Sequence, residues 1–529
     1  MSTRAWAATS GATFRAVSLP VFAGLLIRAI PVLTADFPLN DGGLFYAMTR
    51  DLQRANFLLP ATTTYNGLDI PFAYPPLGFY LAGILSSAGG ISLLDLFRFL
   101  PMVISTLTIP VVYLVGRELL RSRFQALIAT WAFAFLPRGF DWAIAGGGLT
   151  RSLGLLMAFL AILEGVRFYR TGRRRHGAGL AVFAALTALS HPEAALFAGL
   201  SMVLLLLAFA RTRRALRDSI VLAIGAAVIA SPWWVTVVLA HGVGPFLSGG
   251  QTGSDLLSSF QALTTFTFTD EPFSAFLAVV GLIGLLQQVG LRRYLLPAWV
   301  VVPLVVEPRG AAAGVMLPLA MLIAIAVDEV LLARVNRLST ASDPDRLWPS
   351  AIVRDRSARI LLVAALLLGI IDGVKSPTAI QSPLHALGDP EREAMAWIAT
   401  NAPASADFLV VSGSNWFLDV NSEWFPVLIG RRSLATLQGY EWLGKAAWDR
   451  QASRYHQLQM CAFGTASCID KWLQDGGIEN AWLFVPAHTI DSFSPTGDCC
   501  APLRDLLRTS PAYDVVYSGP GGAVFRPKG

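Results

Sequence analysis

Charge is scarce in this 529-residue chain: charged side chains make up 14% of it, where a soluble protein carries roughly a quarter. The shortage is local. No lysine precedes Lys375, and the arginines before it gather in short clusters between apolar runs. Cysteine is confined too, with Cys461, Cys468, Cys499 and Cys500 all near the C-terminal end. Familiar catalytic signatures are also missing. No lysine follows the glycines of Gly249-Gly250-Gln251-Thr252-Gly253, so this is not a P-loop, and neither a Ser-His-Asp motif nor a Rossmann fingerprint occurs. The net charge of +6 does not point to nucleic acid, because the arginines sit at the ends of apolar segments, where they fix topology.

What is present is a membrane protein. A bilayer-spanning helix needs roughly 17 to 25 apolar residues, and eleven runs approach that: 16–34, 98–116, 124–144, 151–168, 177–190, 194–210, 219–240, 273–290, 294–306, 311–333 and 359–374. The expected fold is an all-α polytopic bundle over 1–375, with a long first outer loop at 35–97. A C-terminal α/β domain over 376–529 follows. The first run lacks a small-residue cleavage site and reads as a retained anchor. Placing 75–90 along the outer interface, not across the membrane, leaves 22 arginines on one side and five on the other, with Arg98 at the edge. The positive-inside rule then puts the N-terminus in the cytoplasm and the C-terminal domain outside a plasma membrane. Cysteines confined to that domain suit disulfides in an oxidising compartment. A four-thiolate zinc site is the alternative, although the spacing matches no zinc ribbon.

Two local patterns sharpen this picture. The stretch from Ala178 to Ala210 must leave and return to the arginine-rich side. Its 33 residues give about 50 Å of helix, against about 60 Å for two crossings. The apex Ser190-His191-Pro192-Glu193 therefore lies below the outer surface, facing a water-filled cavity. In the C-terminal domain, Asp389-Pro390-Glu391 opens a helix running to about Thr400. Apolar runs at Phe408–Val411, Trp482–Val485, Asp514–Tyr517 and Ala523–Phe525 suit strands.

The loop after the first span opens with Asp36-Phe-Pro-Leu-Asn-Asp41-Gly42-Gly43, where glycines allow close approach to a carboxylate; a plain turn is the competing reading. Three stretches carry a resemblance: Asn40-Asp41-Gly42-Gly43-Leu44-Phe45-Tyr46, Ala73-Tyr74-Pro75-Pro76-Leu77-Gly78-Phe79-Tyr80, and Arg98-Phe99-Leu100-Pro101. In these motifs and in layout the chain resembles the GT-C type membrane glycosyltransferases, near the protein mannosyltransferase and aminoarabinose transferase branch. The resemblance implies a polyprenyl-phosphate sugar donor, an inverting transfer to an extracytoplasmic glycan, lipid or protein acceptor, and Asp41 as catalytic base. Gly42 stands where the branch often has glutamate, and Tyr74 where it often has histidine.

Transfer from a lipid phosphate needs a base for the acceptor proton and cations for the leaving phosphate, for which arginine's planar fork is suited. Outer-side candidates for the phosphate are Arg309, Arg138 and Arg151, with Arg28 inside the first span. An intramembrane arginine usually faces a cavity or a partner, though Arg28 could also snorkel. Asp141 is expected either at the site or in a structural ion pair with Arg138 or Arg151. His191 and Glu193 are expected to bind acceptor, or a divalent metal together with Asp41. No cofactor is otherwise implied, and the spacing gives no strong metal signal. The loop His241–Pro272 suits a flap over the site or a plain connection. Glu423-Trp424-Phe425-Pro426 and Tyr440-Glu441-Trp442 pair aromatics with carboxylates, as sugar-binding surfaces do, although most of these tryptophans suit a core equally well. An inactive scaffold of the same fold, or a transporter or lipid-binding protein, remains the alternative. Against the transporter, no paired, interrupted halves are seen.

Overall fold

The structure, a computed structural model, describes residues 3–251, 276–308, 310–333, 355–375, 382–464, 466–487 and 497–528. Among these, six helices are long and apolar enough to cross a membrane: Thr13–Thr34, Leu93–Leu119, Gly148–Thr171, Pro192–Phe209, Ala311–Leu332 and Arg356–Lys375. Two further pairs, Arg213–Ile229 with Ser231–His241 and Phe276–Gly290 with Leu295–Val306, are bent by 66° and 118°. Counting each bent pair as one span gives eight among the described residues, so the expected eleven are not confirmed. The reason lies in helix length. Arg123–Phe135 and Arg174–Ala188 have 13 and 15 residues, about 20 and 22 Å at 1.5 Å per residue, short of a 30 Å core. The run read as 124–144 breaks at Leu136, whose extended backbone precedes Pro137; the proline ring disfavours helical geometry in the residue before it. Leu77–Gly89, also 13 residues, is too short to cross.

Gly148–Thr171 packs against Leu93–Leu119, Arg174–Ala188 and Pro192–Phe209, and Ala311–Ile325 packs against Arg123–Phe135. The helix beginning at Ala311 is the most enclosed, with 83% of its apolar window buried. In the apolar core of a bilayer, close packing is what holds such helices together.

The C-terminal part is mixed α/β. The strands Phe408–Val410, Trp482–Pro486, Gly522–Pro527 and Tyr513–Gly519 form one sheet in that order. The first pair is parallel and the others antiparallel. All four fall on the apolar runs that predicted them. The helix Asp389–Asn401 is capped by Gly388, one residue before the expected Asp389, with Pro390 in its first turn. Cys461 pairs with Cys468 and Cys499 with Cys500, so the thiols are used in disulfides.

Candidate active site

A cavity of about 880 Å³ lies where the bundle meets the C-terminal part, and Asp41, Tyr74, Arg138, Asp141, Arg151, His191 and Glu193 all line it. The chain around Asp41 is stitched on two sides. Leu39 bridges Ala386, and the Asn40 amide donates to the His385 carbonyl at 2.5 Å. On the bundle side, Gly146 N–H donates to the Leu39 carbonyl at 2.6 Å and Gly147 N–H to the Asp41 carbonyl at 3.1 Å. The turn is completed by Gly42 at φ 128°, a conformation that side chains with a Cβ rarely adopt. A Cβ there would also meet the Gly146 carbonyl carbon at 3.1 Å and the Trp424 ring at 3.2 Å. Glycine at this position is therefore a packing requirement of this loop.

Asp41 is held by two donors. Arg151 Nη2 lies 2.6 Å from Oδ2, and Gly147 N–H donates to Oδ1 at 2.9 Å. Arg151 stacks over the Trp142 ring at 5.2 Å, which fixes its fork while leaving part of it exposed to the cavity. Arg151 thus pairs with Asp41 and not with Asp141. Gly147 carries no side chain because a Cβ would lie 2.7 Å from Asp41 Oδ2.

The hairpin apex forms a second wall. His191 caps the helix Pro192–Phe209, its Nδ1 accepting from Ala194 N–H at 3.4 Å, and its Nε2 is 3.9 Å from Glu193 Oε2. Glu193 packs against Gly310, which has no Cβ to obstruct it. Tyr74 stands between the walls. Its hydroxyl is 3.3 Å from Thr150 Oγ1, and its ring lies 6.2 Å from His191 and 5.8 Å from Trp442. Burial raises the Tyr74 phenol well above its ordinary value, so it serves as a neutral hydrogen-bonding group.

The C-terminal part supplies a third wall that the sequence reading only touched. Glu423 reaches under the Asp41 loop, its Oε1 accepting from Gly42 N–H at 3.3 Å and Leu44 N–H at 3.1 Å. The Tyr65 hydroxyl donates to the Glu423 carbonyl at 2.7 Å, and Trp424 Nε1 donates to the Asn40 carbonyl at 2.8 Å. Burial, aided by the charge of Asp41, pushes the Glu423 carboxyl up to about 8. Near neutral pH it is therefore largely protonated. Glu441, Asp419, Trp416 and Trp442 also line the cavity. Burial raises the Asp419 carboxyl even though Ser412 and Tyr455 donate to it at 2.6 and 2.7 Å. The pairing of aromatics with carboxylates around 423 and 441 signalled this wall, but Trp424 itself is fully buried core.

Arg28 requires a correction. It is 0% exposed and absent from the cavity lining. Its Nε donates to Ser105 Oγ at 3.1 Å and its Nη1 to the carbonyls of Gly24 and Ala134 at 3.0 Å, while Phe140 lies 4.5 Å beneath. Arg28 ties three segments of the bundle together and has no open path to a substrate. Arg309 lies outside the described residues; its neighbours Pro308 and Gly310 line the cavity. Of the loop His241–Pro272, Gly249 and Gly250 line the cavity, and residues from 252 to 272 lie outside the described residues. Among the described residues no group of three or more His, Cys, Asp or Glu side chains is arranged to hold a metal; the set Asp41, His191 and Glu193 does not converge.

A family model for 6-pyruvoyl-tetrahydropterin synthase related domains, described as a membrane protein, matches residues 73–326. No curated protein sequence matches. Among solved structures, the arabinofuranosyltransferase AftD from Mycobacteria is similar with a TM-score of 0.58 at 17% identity, over 97% of this chain and 40% of that one. ArnT from Cupriavidus metallidurans in the apo state gives 0.57 at 13% identity over 98% of both chains. It is also known bound to undecaprenyl phosphate. The archaeal oligosaccharyltransferase AglB from Archaeoglobus fulgidus, in complex with an inhibitory peptide and a dolichol-phosphate, gives 0.54 at 14% identity over 90% of this chain and 69% of that one. The chain is a membrane protein with the fold of the GT-C glycosyltransferases. At these identities the likeness is one of fold.

Proposed function

We propose that this protein is an integral-membrane glycosyltransferase that moves a sugar from a polyprenyl-phosphate carrier to an acceptor on the outer face, with inversion at the anomeric carbon. The observation that carries the reading is the three-walled cavity, which presents a fixed carboxylate, Asp41, beside the partly exposed Arg151. In the reaction, Asp41 takes the proton of the acceptor hydroxyl as its oxygen bonds to the anomeric carbon. The bond from that carbon to the phosphate oxygen breaks, and its electron pair leaves with the polyprenyl phosphate. A single displacement of this kind inverts the centre. Arg151 and Arg138, with Arg309, receive the charge that develops on the phosphate. Glu193, His191 and Asp141 hold sugar or acceptor hydroxyls, and Tyr74 closes the pocket. The excess of arginine at the far end supports a cytoplasmic N-terminus and an external C-terminal domain.

The likeness to ArnT and AglB, known with undecaprenyl phosphate and dolichol-phosphate, supports the donor class. The test is transfer of radiolabel from a panel of polyprenyl-phosphate sugars to cell-envelope acceptors by the purified chain, with the product anomer read by NMR. Inverted product from at least one donor is expected. Retained configuration, or no transfer and no donor binding across the panel, overturns the reading.

A further inference from the structure

A second cavity, of about 540 Å³, lies at the opposite end of the bundle. Two helices establish the relation: Pro192–Phe209 starts with Pro192 and Glu193 in the first cavity and ends with Leu207 at the second. The helix beginning at Ala311 runs from Ala312 in the first to Glu329 in the second. At 18 residues, Pro192–Phe209 is about 27 Å long, close to the thickness of a hydrocarbon core. The second cavity thus sits at the depth of a membrane surface.

Its walls combine cations with apolar side chains. Among the described residues, Arg121, Arg211, Arg292 and Arg293 line it, against a single carboxylate, Glu329. Glu329 is already engaged, accepting from Arg121 at 3.3 Å and from Gln125 and Gln287 at 3.2 Å. Among the described residues, Arg211, Arg292 and Arg293 have no ion-pair partner. Arg292 and Arg293 stand in the turn between the two bent helices, and Arg292 holds φ 57°, which is uncommon for a residue with a long side chain. Beside them Tyr294, exposed at interfacial depth, and leucines such as Leu207 complete the wall.

We propose that this cavity binds the phosphate headgroup of an anionic membrane phospholipid, with the arginines on the phosphate and the leucines along the upper acyl chains. Arginines without a carboxylate partner match a phosphodiester, even with Arg211 Nε donating to the Leu207 carbonyl, and basic pockets between helices on the cytoplasmic side hold such headgroups. A soluble phosphate would share the arginines but leave the leucine wall without a partner.

Native mass spectrometry of the full chain with added dioleoylphosphatidylglycerol or dioleoylphosphatidylcholine tests the site. The phosphatidylglycerol adduct is expected to exceed the phosphatidylcholine one. It should weaken about fivefold per arginine removed, both in R292A/R293A and, from another helix, in R211Q. R292K/R293K should keep most of it, and millimolar glycerol 3-phosphate should not displace it. Equal retention of the two lipids, or undiminished phosphatidylglycerol in both arginine-removing variants, overturns the site. Displacement by glycerol 3-phosphate overturns the lipid as its occupant.

Discussion

Among the described residues, the cavity lining at one end of the bundle holds Asp41, Asp141, Glu193, Glu307, Asp419, Glu423 and Glu441 against Arg138 and Arg151; at the other, four arginines face Glu329. The same helices run between these two environments. An excess of carboxylates suits the capture of hydroxyls and the removal of a proton, but it opposes the entry of a phosphate. The first cavity meets that conflict locally. Arg151 is laid against Asp41, and Glu423 is kept largely protonated by its burial beside that carboxylate. The second cavity, with one carboxylate among its described lining residues, faces no such conflict.

Changes around Asp41 should therefore disturb rate, with little effect on folding. The largest effect after loss of Asp41 itself is expected for Arg151→Met, which frees the carboxylate and removes a charge from the leaving phosphate. Turnover should fall by about 10²- to 10³-fold, and steady-state kinetics on the best donor would show it. An effect below threefold would mean that the charge pairing is incidental. Gly147→Ala should come next. Its Cβ would press on both carboxylate oxygens of Asp41, and a shift of about 1 Å costs about 10²-fold. A parallel assay with Gly67→Ala, where a Cβ meets nothing within 4 Å, controls for mutation at glycine.

Glu423→Gln is expected to be milder in rate and visible in pH dependence. Because the folded-state pKa of about 8 exceeds that of an unfolded glutamate, about 4.3, the folded state holds the proton more tightly. Stability from this group is therefore complete below about pH 4.3 and is lost as pH rises to about 8. Melting temperatures measured from pH 5 to pH 8 should decline less steeply in Glu423→Gln than in the parent. Identical slopes would show that Glu423 does not titrate in this window.

These expectations draw on features that were unequally legible in the sequence. The strands were readable because each is a short apolar run between turn residues, as with Phe408–Val410 and Trp482–Pro486. The hairpin apex at His191 was expected to face a cavity because chain length bounds reach, and His191 lines one. The number of spans could not be read from apolar length, since the chain bends at places such as Ala230–Ser231 and breaks before Pro137. Arg28 was misread for a related reason: its oxygen partners on Ser105 and Ala134 lie far along the chain. Glu423 was visible beside Trp424, yet nothing local could show that it braces a loop 381 residues earlier.

Asp41 as the base is tested most directly by Asp41→Asn, with donor affinity and turnover measured on the same preparation. The substitution keeps an oxygen for Arg151 but removes the proton acceptor. Donor affinity should be unchanged or tighter, while turnover falls by about 10²- to 10⁴-fold. Transfer at the parental rate, with the donor bound as before, would contradict it.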